Sequence, residues 1–134
     1  MYWWLESASW RSGMDYQDLC SRIFSLDSRI RYVTVTDQMS NVLAGGMRPG
    51  LKPIEATMEE ARKIDAQVAI LDGIMRTWGE SLGRARFALI QHEKANMLMI
   101  PFGNKHVELS MERSMPLEQI ESILSLVEAS NPKT

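Results

Sequence analysis

The side chains best suited to nucleophilic or acid–base chemistry in this sequence are Cys20, His92, Glu93 and His106. A cysteine attacks as its thiolate when a histidine takes the proton and a third polar group orients the ring. Cys20 instead falls on the apolar stripe of a short amphipathic segment, where a lone cysteine serves as a small buried apolar residue. His92 and Glu93 are adjacent, and consecutive residues of an extended chain point to opposite faces, so the two would not act on one atom. His106 adds a second histidine, but no third ligand stands at a spacing typical of metal sites. The pattern predicts no catalytic centre, no metal site and no cofactor.

The stretch Gly45-Gly46-Met47-Arg48 resembles a loose anion-binding loop. A phosphate cradle runs from a strand through a glycine-rich turn directly into a helix N-terminus. Here Pro49 and Pro53 intervene before the next helix. The glycines then mark either a bulge or a place where another backbone or a ligand comes close. A ligand held between sheet and helix would lie near Gly45, Gly46 and Arg48.

These residues are positioned by elements that periodicity makes visible. Asp15 precedes Tyr16, Leu19, Cys20, Ile23 and Phe24, which recur at helical spacing and predict a helix over 16–27. Residues 30–36 are β-branched and aromatic and predict a strand; 37–41 read as a turn, and 42–47 as the returning strand of a hairpin. Thr57-Met58-Glu59-Glu60 is a capping box opening a helix over 57–82, with Gly83 placed to end it. In that helix Ala61, Ile64, Val68, Leu71, Met75 and Trp78 form a heptad-like seam over about two and a half heptads. Ile70 and Ile74 widen the apolar surface to one side. One stripe suffices for a monomer's core, so a two-sided helix predicts a partner, with Ile64, Val68, Ile70, Leu71, Ile74, Met75 and Trp78 as interface residues. Strands follow over 87–91, 97–101 and 106–111, the last alternating Val107, Leu109 and Met111 with His106, Glu108 and Ser110. The final helix opens at Ser114-Met115-Pro116 with proline at its first position. Short links between the strands make the sheet antiparallel.

Composition narrows the function classes. The chain has 134 residues, 45% hydrophobic and 24% charged, ordinary values for one folded domain. A net charge of −2 with basic residues scattered among acids excludes a phosphate-tracking surface, so no nucleic-acid partner is expected. A single cysteine excludes an internal disulfide and points to a reducing cytoplasm. No apolar run approaches the roughly 18 residues of a membrane span.

Three of the four tryptophans, Trp3, Trp4 and Trp10, stand in the first ten positions. Residues 1–13 read as a start-site extension or as an aromatic arm that docks on the domain or on a partner. The domain is expected over 14–130, with 131–134 as a tail.

The order helix, two strands, helix, three strands, helix resembles the roadblock domain and, more broadly, the profilin-like and longin-like domains. Arg31-Tyr32-Val33-Thr34-Val35-Thr36-Asp37 leading to Val42-Leu43-Ala44-Gly45-Gly46, then the long helix, carry the likeness. Asp27-Ser28-Arg29-Ile30-Arg31-Tyr32, Ala44-Gly45-Gly46-Met47-Arg48 and Glu93-Lys94 followed by Met97-Leu98-Met99-Ile100-Pro101 are similar to an uncharacterised family of small proteins common in ammonia-oxidising archaea, a likeness that implies no activity. The roadblock resemblance implies an α+β fold with a five-stranded antiparallel sheet, order α-β-β-α-β-β-β-α. It also implies a homodimer joined through the central helix and its neighbouring strand, serving as scaffold or regulator of a partner such as a small GTPase. A small-molecule sensor holding its ligand between sheet and long helix is the alternative.

Overall fold

The computed structural model describes residues 15–54 and 57–131. Its elements are α1 (Tyr16–Phe24), β1 (Ile30–Asp37), β2 (Val42–Met47), α2 (Met58–Leu82), β3 (Ala88–Gln91), β4 (Asn96–Phe102), β5 (Lys105–Met111) and α3 (Leu117–Ser130). The strands form one antiparallel sheet in the order β2-β1-β5-β4-β3. The expected element order and sheet are therefore present. The aromatic arm and most of the C-terminal tail lie outside the described residues.

Local chemistry explains the ends of these elements. Asp15 caps α1 by accepting the Asp18 amide at 3.0 Å. The helix stops at Phe24, three residues short of the expected end. Asp27 turns back to accept the Arg29 amide at 2.8 Å, and Arg48 takes the carbonyls of Phe24 and Asp27 that a longer helix would use. In the β1–β2 turn, the Asp37 carboxylate accepts the amides of Met39 and Asn41 at 2.9 Å each. Thr57 caps α2 by accepting the Glu60 amide at 3.0 Å, and Gly83 ends it with φ 87°. Pro116 sits at the N-cap of α3, one place earlier than expected, because it keeps an extended ψ of 154°.

The two faces of the sheet differ in kind. Val33, Val35, Leu98, Ile100, Val107, Leu109 and Met111 are buried on one face, together with Leu19, Cys20 and Ile23 of α1 and Ile120, Ile123, Leu124 and Val127 of α3. Strand alternation turns Thr34, Thr36, His106 and Glu108 to the other face. They are buried too, and His106 meets Asp72 of α2 there. Met99, paired with Glu108 and so on the same face, is buried as well.

The packing of α2 departs from the expected seam. Of its 25 residues, only Asp72 and Met75 are buried. Ile64, Val68 and Leu71 are half-buried, and Trp78 is 56% exposed. The sheet face toward α2 carries His106 and Glu108 as well as Met99, and the helix meets the sheet through Asp72, Arg76 and Met75 without sinking an apolar seam.

Candidate functional site

The anchor under α2 is a cluster of buried polar groups. Nδ1 of His106 donates to an Asp72 carboxylate oxygen at 3.2 Å, with both side chains fully buried. The other Asp72 oxygen accepts Nε of Arg76 at 2.9 Å. Arg76 then donates to the carbonyls of Gly103 at 2.7 Å and Lys105 at 2.6 Å, fastening α2 to the β4–β5 turn. Thr34 and Thr36 share a hydrogen bond at 3.2 Å on the same sheet face.

The side chains considered for chemistry do not come together. Cys20 is fully buried between α1 and the sheet, and burial pushes its thiol up to about 12. His106 opens β5, whereas His92 is exposed in the β3–β4 turn, beside the Asn96–Met111 pair at the far end of the sheet. Five strand residues separate those ends, about 17 Å at the usual rise. No group of three His, Cys, Asp or Glu side chains among the described residues is placed to hold a metal ion. No helix among them is long and apolar enough to cross a membrane.

Gly45, Gly46 and Arg48 have intramolecular work. Gly45 has φ 92°, and a Cβ there would fall on the Val33 carbonyl and 2.9 Å from the Cys20 sulfur. The glycine lets β2 approach β1 and α1 closely, whereas the β1–β2 register shifts at Leu43, between the Val35–Ala44 and Thr36–Val42 pairs, and not at the glycines. The Arg48 guanidinium donates to the carbonyls of Ile30, Phe24 and Asp27 at 2.7–2.9 Å and lies 4.9 Å over the Phe24 ring.

The outward surface of α2 is apolar. Ile70, Ile74, Trp78 and Leu82 recur every fourth residue and are 63%, 42%, 56% and 79% exposed. Beside them lies β3, an edge strand of four residues whose Ile90 and preceding Phe87 are also exposed. A shallow groove of about 330 Å³ joins the two, lined by Leu71, Trp78, Leu82, Phe87 and Ala88. A stripe of large apolar side chains alongside an unpaired strand edge is the chemistry of a protein–protein contact. Of the expected interface residues, Ile70, Ile74 and Trp78 stand on this surface, Ile64, Val68 and Leu71 are half-buried, and Met75 is buried within the chain. Leu82, Phe87 and Ile90 join the surface without having been expected. Leu82 does continue the four-residue spacing of Ile74 and Trp78, a signal present in the sequence.

Solved structures share this arrangement of sheet and helices. The fold is roadblock-like. The roadblock/LC7 domain from Streptomyces avermitilis superposes with a TM-score of 0.63 at 14% identity, over 84% of this chain and 92% of that one. MglB in a tetrameric arrangement gives 0.64 at 12% identity, over 92% and 93%. Profilin from Schizosaccharomyces pombe gives 0.58 at 10% identity, over 85% and 94%. No protein-family model matches the sequence, and no curated protein matches it. The roadblock-like sheet leaves β3 at one edge and α2 across one face, which brings the exposed stripe and the strand edge together.

Proposed function

We propose that this chain is a non-catalytic interaction module, a roadblock-like homodimer that scaffolds or regulates a partner protein. A small GTPase is the partner class that the roadblock resemblance implies, and a reducing cytoplasm is its setting. The stripe Ile70, Ile74, Trp78 and Leu82 beside the open edge of β3 carries this reading. A two-fold axis through that surface would pair α2 with α2 and β3 with β3, so that each copy covers the apolar groups of the other. The tetrameric arrangement named for MglB is in keeping with self-association on this fold. The sensor alternative draws less support, because Gly45 and Gly46 are buried and line neither the groove beside that stripe nor a larger one between α2 and α3.

Sedimentation at tens of micromolar tests the reading. The native chain is expected to sediment as a dimer, and Ile74→Glu or Trp78→Glu as a folded monomer. A strict monomer for the native chain would remove the homodimer. Failure of a panel of nucleotide-loaded small GTPases to bind the dimer would remove that partner class and leave self-association standing.

A further inference from the structure

A second groove, of about 840 Å³, opens where β4 runs beyond its edge partner. β3 pairs with β4 only from Asn96 to Met99, so Ile100–Phe102 has no strand on that side among the described residues. The groove lies there, between α2 and α3. Met75, Ala85, Ile100 and Pro101 give it apolar walls, and Arg76, Arg84, Arg86 and Glu128 give it charged ones, with Arg86 paired to Glu128 at 3.0 Å and Arg76 to Asp72 at 2.9 Å. Gly79 also lines it. This glycine stands inside α2, where glycine costs about 1 kcal/mol relative to alanine. A Cβ added to it would meet nothing within 4 Å. The sequence thus carries a helix-weakening residue where the space above the helix is open.

We propose that the aromatic segment Tyr2–Trp10 of the same chain docks in this groove. The first observation is where the chain enters the fold. Tyr16 packs edge-on against Phe102 at 6.2 Å, and the Lys105 ammonium lies 5.8 Å from its ring. The carbonyls of Gly103, in the β4–β5 turn, and Lys105, the first residue of β5, hold Arg76 of the groove. Asp15 therefore starts at the same end of the sheet as the groove. Trp10 is five residues before Asp15, a reach of up to about 16–18 Å, and Trp3 is twelve before it, up to about 40–43 Å. The second observation is chemical fit. Tyr2, Trp3, Trp4, Leu5 and Trp10 are apolar and aromatic, with Glu6 as the acid among them. Indole rings pair with a methionine sulfur, a bare glycine backbone and arginine planes, which Met75, Gly79 and the three arginines supply. Glu6 would meet Arg84, which is exposed. The docked segment would cover the unpaired stretch of β4 and leave the Ile70–Leu82 stripe free, so this inference does not depend on the homodimer.

Trypsin cleavage after Arg11, followed by mass spectrometry of the Met1–Arg11 fragment, tests it on the full chain. Gly79→Leu, whose Cβ meets nothing within 4 Å, extends a side chain into the groove and is expected to speed release of the fragment at least tenfold. Arg84→Glu, a surface change that leaves folding intact, is expected to speed it several-fold. Acrylamide quenching in a Trp78→Phe background, which reports the three N-terminal tryptophans alone, should rise with both variants. Equal cleavage rates in all three proteins would overturn the proposal. So would protection that disappears on dilution, which would place the segment on a second copy. A copurified small molecule lost on Gly79→Leu, with Arg11 cut at one rate throughout, would assign the groove to that ligand instead.

Discussion

Asp72 of α2 accepts a hydrogen bond from His106 of β5 at 3.2 Å, and neither side chain is exposed to solvent. The pair stands where a helix–sheet contact is ordinarily apolar. With Nδ1 donating to Asp72, His106 keeps a buried Nε2 that has no hydrogen-bond partner among the described residues. Arg76 completes the junction by joining Asp72 to the carbonyls of Gly103 and Lys105.

Removing Asp72 leaves the His106 ring buried without its partner and Arg76 half-buried without its carboxylate, which costs more than the intact pair contributes. Asp72→Ala is expected to destabilise the chain by about 3–5 kcal/mol in urea unfolding. Because Met75 is the only other buried residue of α2, the loss should concentrate there. Hydrogen exchange should rise across 58–82 well before it rises in β1 and β5. Uniform exchange across helix and sheet would show that α2 is held by other means.

The Asp27–Arg29 pair predicts an acid-sensitive element. Two guanidinium hydrogen bonds, at 2.7 and 2.8 Å, and the Arg29 amide hold the Asp27 carboxyl down from 3.8 to about 2. A carboxyl depressed in the fold contributes stability above its unfolded value and loses it as pH falls through the folded one. The contribution is therefore complete above pH 3.8 and gone below about 2. Asp27→Asn should flatten the stability profile across that window and leave its shape near neutrality unchanged. An acid limb identical to the native one would show that the pair contributes nothing.

Gly45 and Cys20 form a linked test of the β2 approach. Gly45→Ala forces a side chain onto the Val33 carbonyl and the Cys20 sulfur at φ 92°, at an expected cost of about 2–3 kcal/mol. The native Cys20 thiol, raised to about 12 by burial, should resist a thiol reagent at pH 8 until the chain opens. Gly45→Ala should accelerate that labelling. Since an unfolded thiol ionises from about 9 and the folded one from about 12, Cys20 lowers stability as pH rises through that range. Labelling of the native chain at the rate of a free cysteine would contradict its burial.

Much of the fold was legible because local rules and tertiary contacts agree. The Thr57 cap, the Gly83 stop and the bounds of β2 fall where side-chain chemistry places them. The end of α1 was not legible, because it depends on Arg48, which reaches back from beyond β2 to the carbonyls of Phe24 and Asp27. Asp72 gave no sign either. On a helix drawn from sequence it is one polar residue among several, and only the position of His106 beneath it makes it an anchor.

By itself the sequence determined the element order, the antiparallel hairpins and the long capped helix, since hydrophobic period, caps and turn residues act over a few positions. It also marked α2 as apolar on more than one side. Only the tertiary structure decided which of those sides faces the protein. The strand periodicity of two turns His106 to the face that α2 approaches, so the helix is anchored there through Asp72 and Arg76 and its apolar stripe is left outward. The same placement sets Trp78 and Leu82 beside the free edge of β3, a relation between distant residues that no local pattern encodes.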